Sequence, residues 1–157
     1  MSERIWLKSY PEGVAADIDA SQYPSLVALI EESFKKYADR TAYSFMGKEV
    51  SYADTDADSR ALAAYLQSLG LARGDRVAIM LPNVLQYPVA LFGVLRAGLT
   101  VVNTNPMYTG RELKHQLRDS GATVIVVMEM FAHTVADIVA DTPIRQVITT
   151  CVGDLLG

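Results

Sequence analysis

The stretch "ATVIVVME", residues 122–129, sets the strongest limit on what this chain can fold into. Val124 to Val127 are β-branched throughout, which favours an extended backbone, and they leave neither face of a strand polar. Such a segment must be covered on both sides. The same kind of run recurs at Val77–Leu81, ending at Pro82, at Leu99–Asn103, and at Ile144–Thr150. A sheet assembled from these runs is a buried, mostly parallel one.

The intervals between the strands carry helical signals. Asn83 can cap a helix that runs to Ala97 and ends at Gly98, with Pro88 removing a donor and distorting the first turns. Thr109 and Glu112 form a T-x-x-E capping box for a helix over 110–120, closed by Gly121. Phe131, Val135, Ile138 and Val139 then give an amphipathic helix that Pro143 stops. Strand, helix, strand, helix, strand, helix, strand is the order of an α/β fold, a mostly parallel sheet with helices on its faces and right-handed crossovers.

Ahead of this body, residues 1–24 hold Pro11, Gly13 and Pro24 with little periodicity, and read as an extended N-terminal arm over the domain surface. Leu26, Ile30, Phe34 and Tyr37 define a helix over 25–38. "TAYSFMGKEVSY" reads as a short β-hairpin turning at Met46-Gly47-Lys48. Ser51 and Asp54 resemble a capping box that opens a helix over 52–69, with Leu62, Leu66 and Leu69 on one stripe and Gly70 as its C-terminal cap. The arm apart, residues 25–157 form one α/β unit.

Composition narrows the function. Half of the 157 residues are hydrophobic, so the chain can build a real core, and a formal charge of −4 argues against nucleic acid as a partner. Cys151 is the single cysteine, which excludes an intramolecular disulfide framework and fits a reducing cytoplasm; a buried, inert thiol is expected. "MSERIWLKSYPEGV" lacks the apolar stretch of a signal peptide, and no apolar run approaches the roughly 18 to 20 residues that span a bilayer. Any membrane contact is peripheral.

The known chemical motifs are missing. No G-x-G-x-x-G, G-x-x-x-x-G-K-[ST] or G-x-S-x-G occurs. His115 and His133 lie on different predicted helices without a second ligand at helical spacing; His115 belongs on a solvated face with Arg111, Lys114 and Arg118, and His133 is expected to be partly buried and hydrogen-bonded. "DTDAD", with Asp54, Asp56 and Asp58, begins like a calcium loop but lacks its glycine and closing glutamate, and reads better as acidic residues at a helix N-terminus. The turn "NTNPMYTG" leaves the carboxyl end of a strand, where open parallel sheets bind ligands, and Met107 and Tyr108 can line a pocket there. A structural account is also complete: Asn103 and Asn105 bond their own backbone, Pro106 fixes φ, and Thr109 caps. No catalytic, cofactor-binding or metal residue is assigned.

The span from "VSYADT" through "GDRVAIMLPN" and "LRAGLTVVNTNP" to "GATVIVV" resembles the N-terminal region of adenylate-forming acyl-CoA synthetases. Ser51 and Tyr52 match the family's first core motif, with Asp54 and Thr55 in place of its Glu and Leu; Leu95, Ala97, Gly98 and Pro106 match its second. "LPNVLQYPVALFGVLRAG", "NPMYTGREL" and "FAHT" are most similar to bacterial long-chain fatty acid-CoA ligases, and the likeness extends to the arm "IWLKSYPEGV".

The resemblance implies an enzyme that joins a fatty acid to ATP as an acyl-adenylate, with magnesium assisting, and then passes the acyl group to CoA. It also implies that the phosphate loop, the adenine and magnesium residues and the catalytic lysine lie beyond this chain, which is then an N-terminal piece, beginning at a native Met1 and inactive alone. Peripheral association with the inner face of the membrane is a further expectation. A free-standing doubly wound domain binding a small ligand at its strand ends is the rival reading. So is a dimerisation domain, because Trp6, Tyr10 and Tyr23 can anchor a partner or pin the arm to its own domain.

Overall fold

The computed structural model describes residues 3–157; Met1 and Ser2, the first residues of the expected arm, lie outside them. Helix α1, Leu26–Lys36, starts at Ser25, whose hydroxyl accepts from the Ala28 amide at 3.1 Å. Its buried residues are Ile30 and Phe34, while Leu26, at the first position, faces solvent. Strands β1, Thr41–Phe45, and β2, Lys48–Ser51, pair antiparallel. Both turn residues are left-handed, Met46 at φ 49° and Gly47 at φ 83°, as the right-handed twist of a two-residue hairpin demands. Helix α2, Tyr52–Ser68, opens on a complete capping box: the Asp54 amide donates to the Ser51 hydroxyl and the Ser51 amide to the Asp54 carboxylate, each at 3.0 Å.

Four strands form the main sheet: β3, Arg76–Met80; β4, Thr100–Asn103; β5, Val124–Met128; and β6, Gln146–Thr150. Their spatial order is β4-β3-β5-β6, parallel throughout. Side chains alternate between two separate cores. Val77, Ile79, Val124 and Val126 point to one face and pack with Leu66 of α2 and with Val94 of helix α3, Gln86–Arg96. Ala78, Met80, Ile125 and Val127 point to the other and pack with Leu113 and Leu117 of α4, Gly110–Ser120, and Val135 of α5, Ala132–Ala136. At about 25 cal/mol per Å² of apolar surface, each such fully buried Val or Leu contributes about 1.5 to 3 kcal/mol, which makes these alternating runs the principal source of stability.

Two expected helices differ from their sequence reading. Asn83 does not cap α3; the chain first makes a tight turn at Pro82–Leu85, and the helix begins at Gln86 without a side-chain cap. That late start places Pro88 in the first turn, where no intrahelical donor is required, so the proline is accommodated without distortion. The helix expected from Phe131 breaks into a 3-10 turn at Glu129–Phe131, the short α5 and a second 3-10 turn at Val139–Asp141. Thr134, Val135, Ile138 and Val139 are β-branched and disfavour a continuous helix. The capping box of Thr109 and Glu112 and the left-handed ends at Gly98 (φ 79°) and Gly121 (φ 65°) agree with the sequence.

Candidate functional site

From β3 the chain moves through α3 to β4 on one side, then crosses back through α4 to β5 on the other. The exits of β3 and β5 therefore part to opposite faces, and the crevice at their carboxyl ends is the place where a sheet of this topology receives a ligand. Its floor is apolar, with Leu81, Val84 and Leu85 all buried. On the β5–β6 side, Met128, Glu129, Met130, Cys151 and Val152 surround an open cleft of about 440 Å³. On the other side, a hollow of about 230 Å³ lies between the hairpin residues Tyr43, Ser44 and Phe45 and the turn residues Asn83, Val84, Leu85, Tyr87 and Pro88. Burial pushes the Tyr43 phenol above its ordinary pKa, with Tyr52 adding to it, so Tyr43 stays protonated.

The exit of β6 is a bonded turn. Asp154 accepts from the Cys151 amide at 2.9 Å, from the Cys151 thiol at 2.7 Å and from the Thr150 hydroxyl at 2.8 Å. The thiol bond to Asp154 holds Cys151 above, and Asp154 below, its ordinary pKa. Cys151 is half-buried and hydrogen-bonded; the expected full burial is corrected, because the thiol needs the edge of the sheet to meet that carboxylate. A protonated thiol beside an anion is a poor nucleophile.

The polar turn after β4 is built for structure. Asn105 accepts from the Met107 amide at 3.0 Å, whereas Asn103 accepts from the Tyr87 hydroxyl at 3.0 Å and not from its own backbone. Met107 is exposed and Tyr108 packs against the second core, so neither lines the crevice. His115 and Arg111 border a shallow surface hollow, with Lys114 drawn off to Asp141 and Arg118 donating to the Asp141 carbonyl. His133 is exposed, bonded only to its neighbour Thr134, which corrects the expectation of partial burial; the shortness of α5 leaves it outside the packed face.

The acidic run is engaged in the helix layer. Asp54 closes the cap. Burial alone would raise the Asp56 carboxyl, but hydrogen bonds from Arg96 and then Arg60 outweigh it and leave it below the ordinary value. Asp58 is raised, first by burial and then by Asp54. The Arg96 side chain, 6% exposed, also donates to the Asp56 carbonyl at 3.1 Å and lies 5.1 Å over the Phe34 ring. This knot of three helices was invisible in the sequence, as was Gln86, a buried amide whose only signal is its place among the apolar residues of α3.

The profile of the AMP-binding enzyme family matches residues 30–155. The chain belongs to that family. It is similar to the long-chain-fatty-acid–CoA ligase of Yersinia pestis, 54% identical over 156 residues, covering 99% of this chain and 28% of the relative. The corresponding ligase of Bacillus subtilis is 37% identical over 155 residues with the same coverage. Among solved structures, a long-chain-fatty-acid-CoA ligase from Archaeoglobus fulgidus superposes with a TM-score of 0.74 at 26% identity, over 80% of this chain and 27% of that one. An anthranilate CoA ligase, 20% identical and with a TM-score of 0.80, shares the fold over 85% of this chain and 27% of its own. This chain thus spans 28% of the length of these curated relatives. None of its described helices is long and apolar enough to cross a membrane.

Proposed function

We propose that this chain is the N-terminal α/β part of a long-chain fatty acid-CoA ligase, which activates a fatty acid with ATP to the acyl-adenylate and transfers the acyl group to CoA. The observation that carries this reading is the 54% identity to such a ligase across 99% of the chain. Within that enzyme this part is a scaffold, and the catalytic groups belong to the remaining length. The strand exits fit that division. The exit of β3 carries the buried Leu81, Val84 and Leu85, that of β5 the exposed Glu129 and Met130, and neither has the glycine-rich turn that cradles a triphosphate.

Grafting tests the proposal directly. Residues 1–157 replacing the matched segment of the Yersinia pestis ligase should give an enzyme that makes palmitoyl-CoA, while residues 1–157 alone, given palmitate, ATP, magnesium and CoA, should give none. A folded but inactive graft, or turnover by the isolated chain, overturns it. The ligase is cytoplasmic and reaches the inner face of the membrane peripherally. The arm is the region suited to an interface between two copies: Trp6 is 53% exposed and Tyr10 42%, which leaves aromatic surface open to a partner, and Tyr23 is half-buried. Light scattering with and without residues 1–24 should show a dimer that the deletion converts to monomer.

A further inference from the structure

We infer that Gln86 is a positioning residue: its side-chain amide clasps the exit of β6 to the start of α3 and so holds the crevice at the sheet's switch point to one width. Gln86 is 8% exposed, and its Nε2 donates to the carbonyl oxygen of Cys151, 65 residues away, at 2.7 Å. The bond spans the carboxyl end of the sheet, since β3, which feeds α3, is separated from β6 by β5. The same carbonyl also accepts the Asp154 amide at 3.2 Å, which is the first bond of the 3-10 turn Val152–Leu155. One oxygen therefore anchors the turn internally and ties it to the opposite side of the crevice.

The clasp acts on a wall whose far end, at the partly buried Leu155, borders Val50 of β2 and Ala57 of α2. Residues 152–155 contain no buried side chain, and only Val152 reaches the first core. Asp154 braces the turn from within, through Thr150 and Cys151, and those bonds start from the same stretch of backbone whose carbonyl Gln86 holds. Gln86 supplies the side-chain link from this turn to α3. Its own position is fixed by its place as the first residue of α3, which Pro88 bars from starting earlier, and by Val84 and Leu85 beside it, which are buried. Any molecule entering the cleft of Met128, Glu129, Met130, Cys151 and Val152 meets a wall whose placement depends on this amide.

Two variants of the 157-residue chain separate a clasp from a filler. Gln86→Met keeps the volume and removes the donor; Gln86→Glu sets a carboxylate against the Cys151 carbonyl. The readouts are site-resolved amide exchange and the labelling rate of the Cys151 thiol, neither of which requires ligase turnover, so they stand apart from the graft test of the proposed function. Both variants should accelerate exchange at Asp154 and Leu156 about tenfold or more, as loss of one buried hydrogen bond implies, while the amides of Val124–Met128 keep their protection. Thiol labelling should rise several-fold as the bond to Asp154 loosens. Unchanged exchange in Gln86→Met, or acceleration spread equally over the sheet, overturns the inference.

Discussion

The two faces of the sheet are covered by helices of very different quality. On one, α2 and α3 run unbroken and close together: a Cβ built on Gly93 would lie 2.9 Å from Cδ2 of Leu62 and 3.1 Å from its Cβ. Arg96 then locks both to α1 through Asp56 and Phe34. On the other face, α4 is regular but its partner is the fragmented segment from Glu129 to Asp141. The first face is a rigid slab and the second is a helix beside a yielding strap. Equal burial should therefore not mean equal stability.

Leu66 and Leu117 test this most severely, since both are fully buried, one on each face. Leucine-to-alanine changes cost about 2 to 5 kcal/mol, depending on how far the surroundings collapse into the cavity. Leu66→Ala, set in the rigid slab, should fall near the top of that range, and Leu117→Ala near the bottom. Urea unfolding of the two variants measures the gap; equal losses would break the comparison.

Next in size is the Arg96 knot. Arg96→Met leaves Asp56 with Arg60 alone and should cost about 1 to 3 kcal/mol, the range for stranding a partly buried charged partner. The folded Asp56 carboxyl lies below its unfolded value, so its contribution is complete above about pH 4 and is lost as pH falls through the depressed value. Denaturation at pH 7 and pH 3 should show a smaller acid loss in Asp56→Asn than in the wild type.

How much of this was legible follows from the range of the interactions. The capping boxes at Ser51–Asp54 and Thr109–Glu112 and the strand at Val124–Met128 depend on residues within a few positions of one another, and they stand where the sequence puts them. The start of α3 was misread because Asn83 carries a local cap signal that Pro88, five residues on, overrides. The break near α5 needed propensity to be weighed against a clear amphipathic stripe. Arg96, Gly93 and Gln86 were missed because their partners, Asp56, Leu62 and Cys151, come from other elements. The crevice could be anticipated only as a strand end, since its position depends on the strand order.

Glycines offer a finer contrast. Gly93→Ala should cost about 1 to 3 kcal/mol from overpacking against Leu62, in spite of the gain in helix propensity. At Gly110, the first residue of α4, a Cβ would meet Ile138 Cγ2 at 3.2 Å, but Ile138 belongs to the fragmented strap and can give way. Gly110→Ala should change stability by less than about 0.5 kcal/mol, the usual range away from rigid packing. Thermal unfolding of both proteins decides whether the strap yields.

The smallest difference should appear at the caps, and its absence would sharpen the contrast between the faces. Ser51 opens α2 in the rigid slab and Thr109 opens α4 beside the strap, and each makes the same reciprocal pair of bonds with the acid three residues on. Cap bonds are satisfied within one turn of helix and do not depend on what the helix packs against. Ser51→Ala and Thr109→Ala should therefore each cost about 1 kcal/mol and agree within about 0.5 kcal/mol. The acids share a sign as well: hydrogen bonds from the Ser51 side chain and backbone lower Asp54, and those from the Thr109 backbone and side chain lower Glu112. Both contributions are present above the unfolded carboxyl pKa and vanish as pH falls through the lowered one, so each alanine variant should lose less stability than the wild type on acidification. Parallel losses at the caps, together with unequal losses at Leu66 and Leu117, would place the difference between the faces in their packing alone.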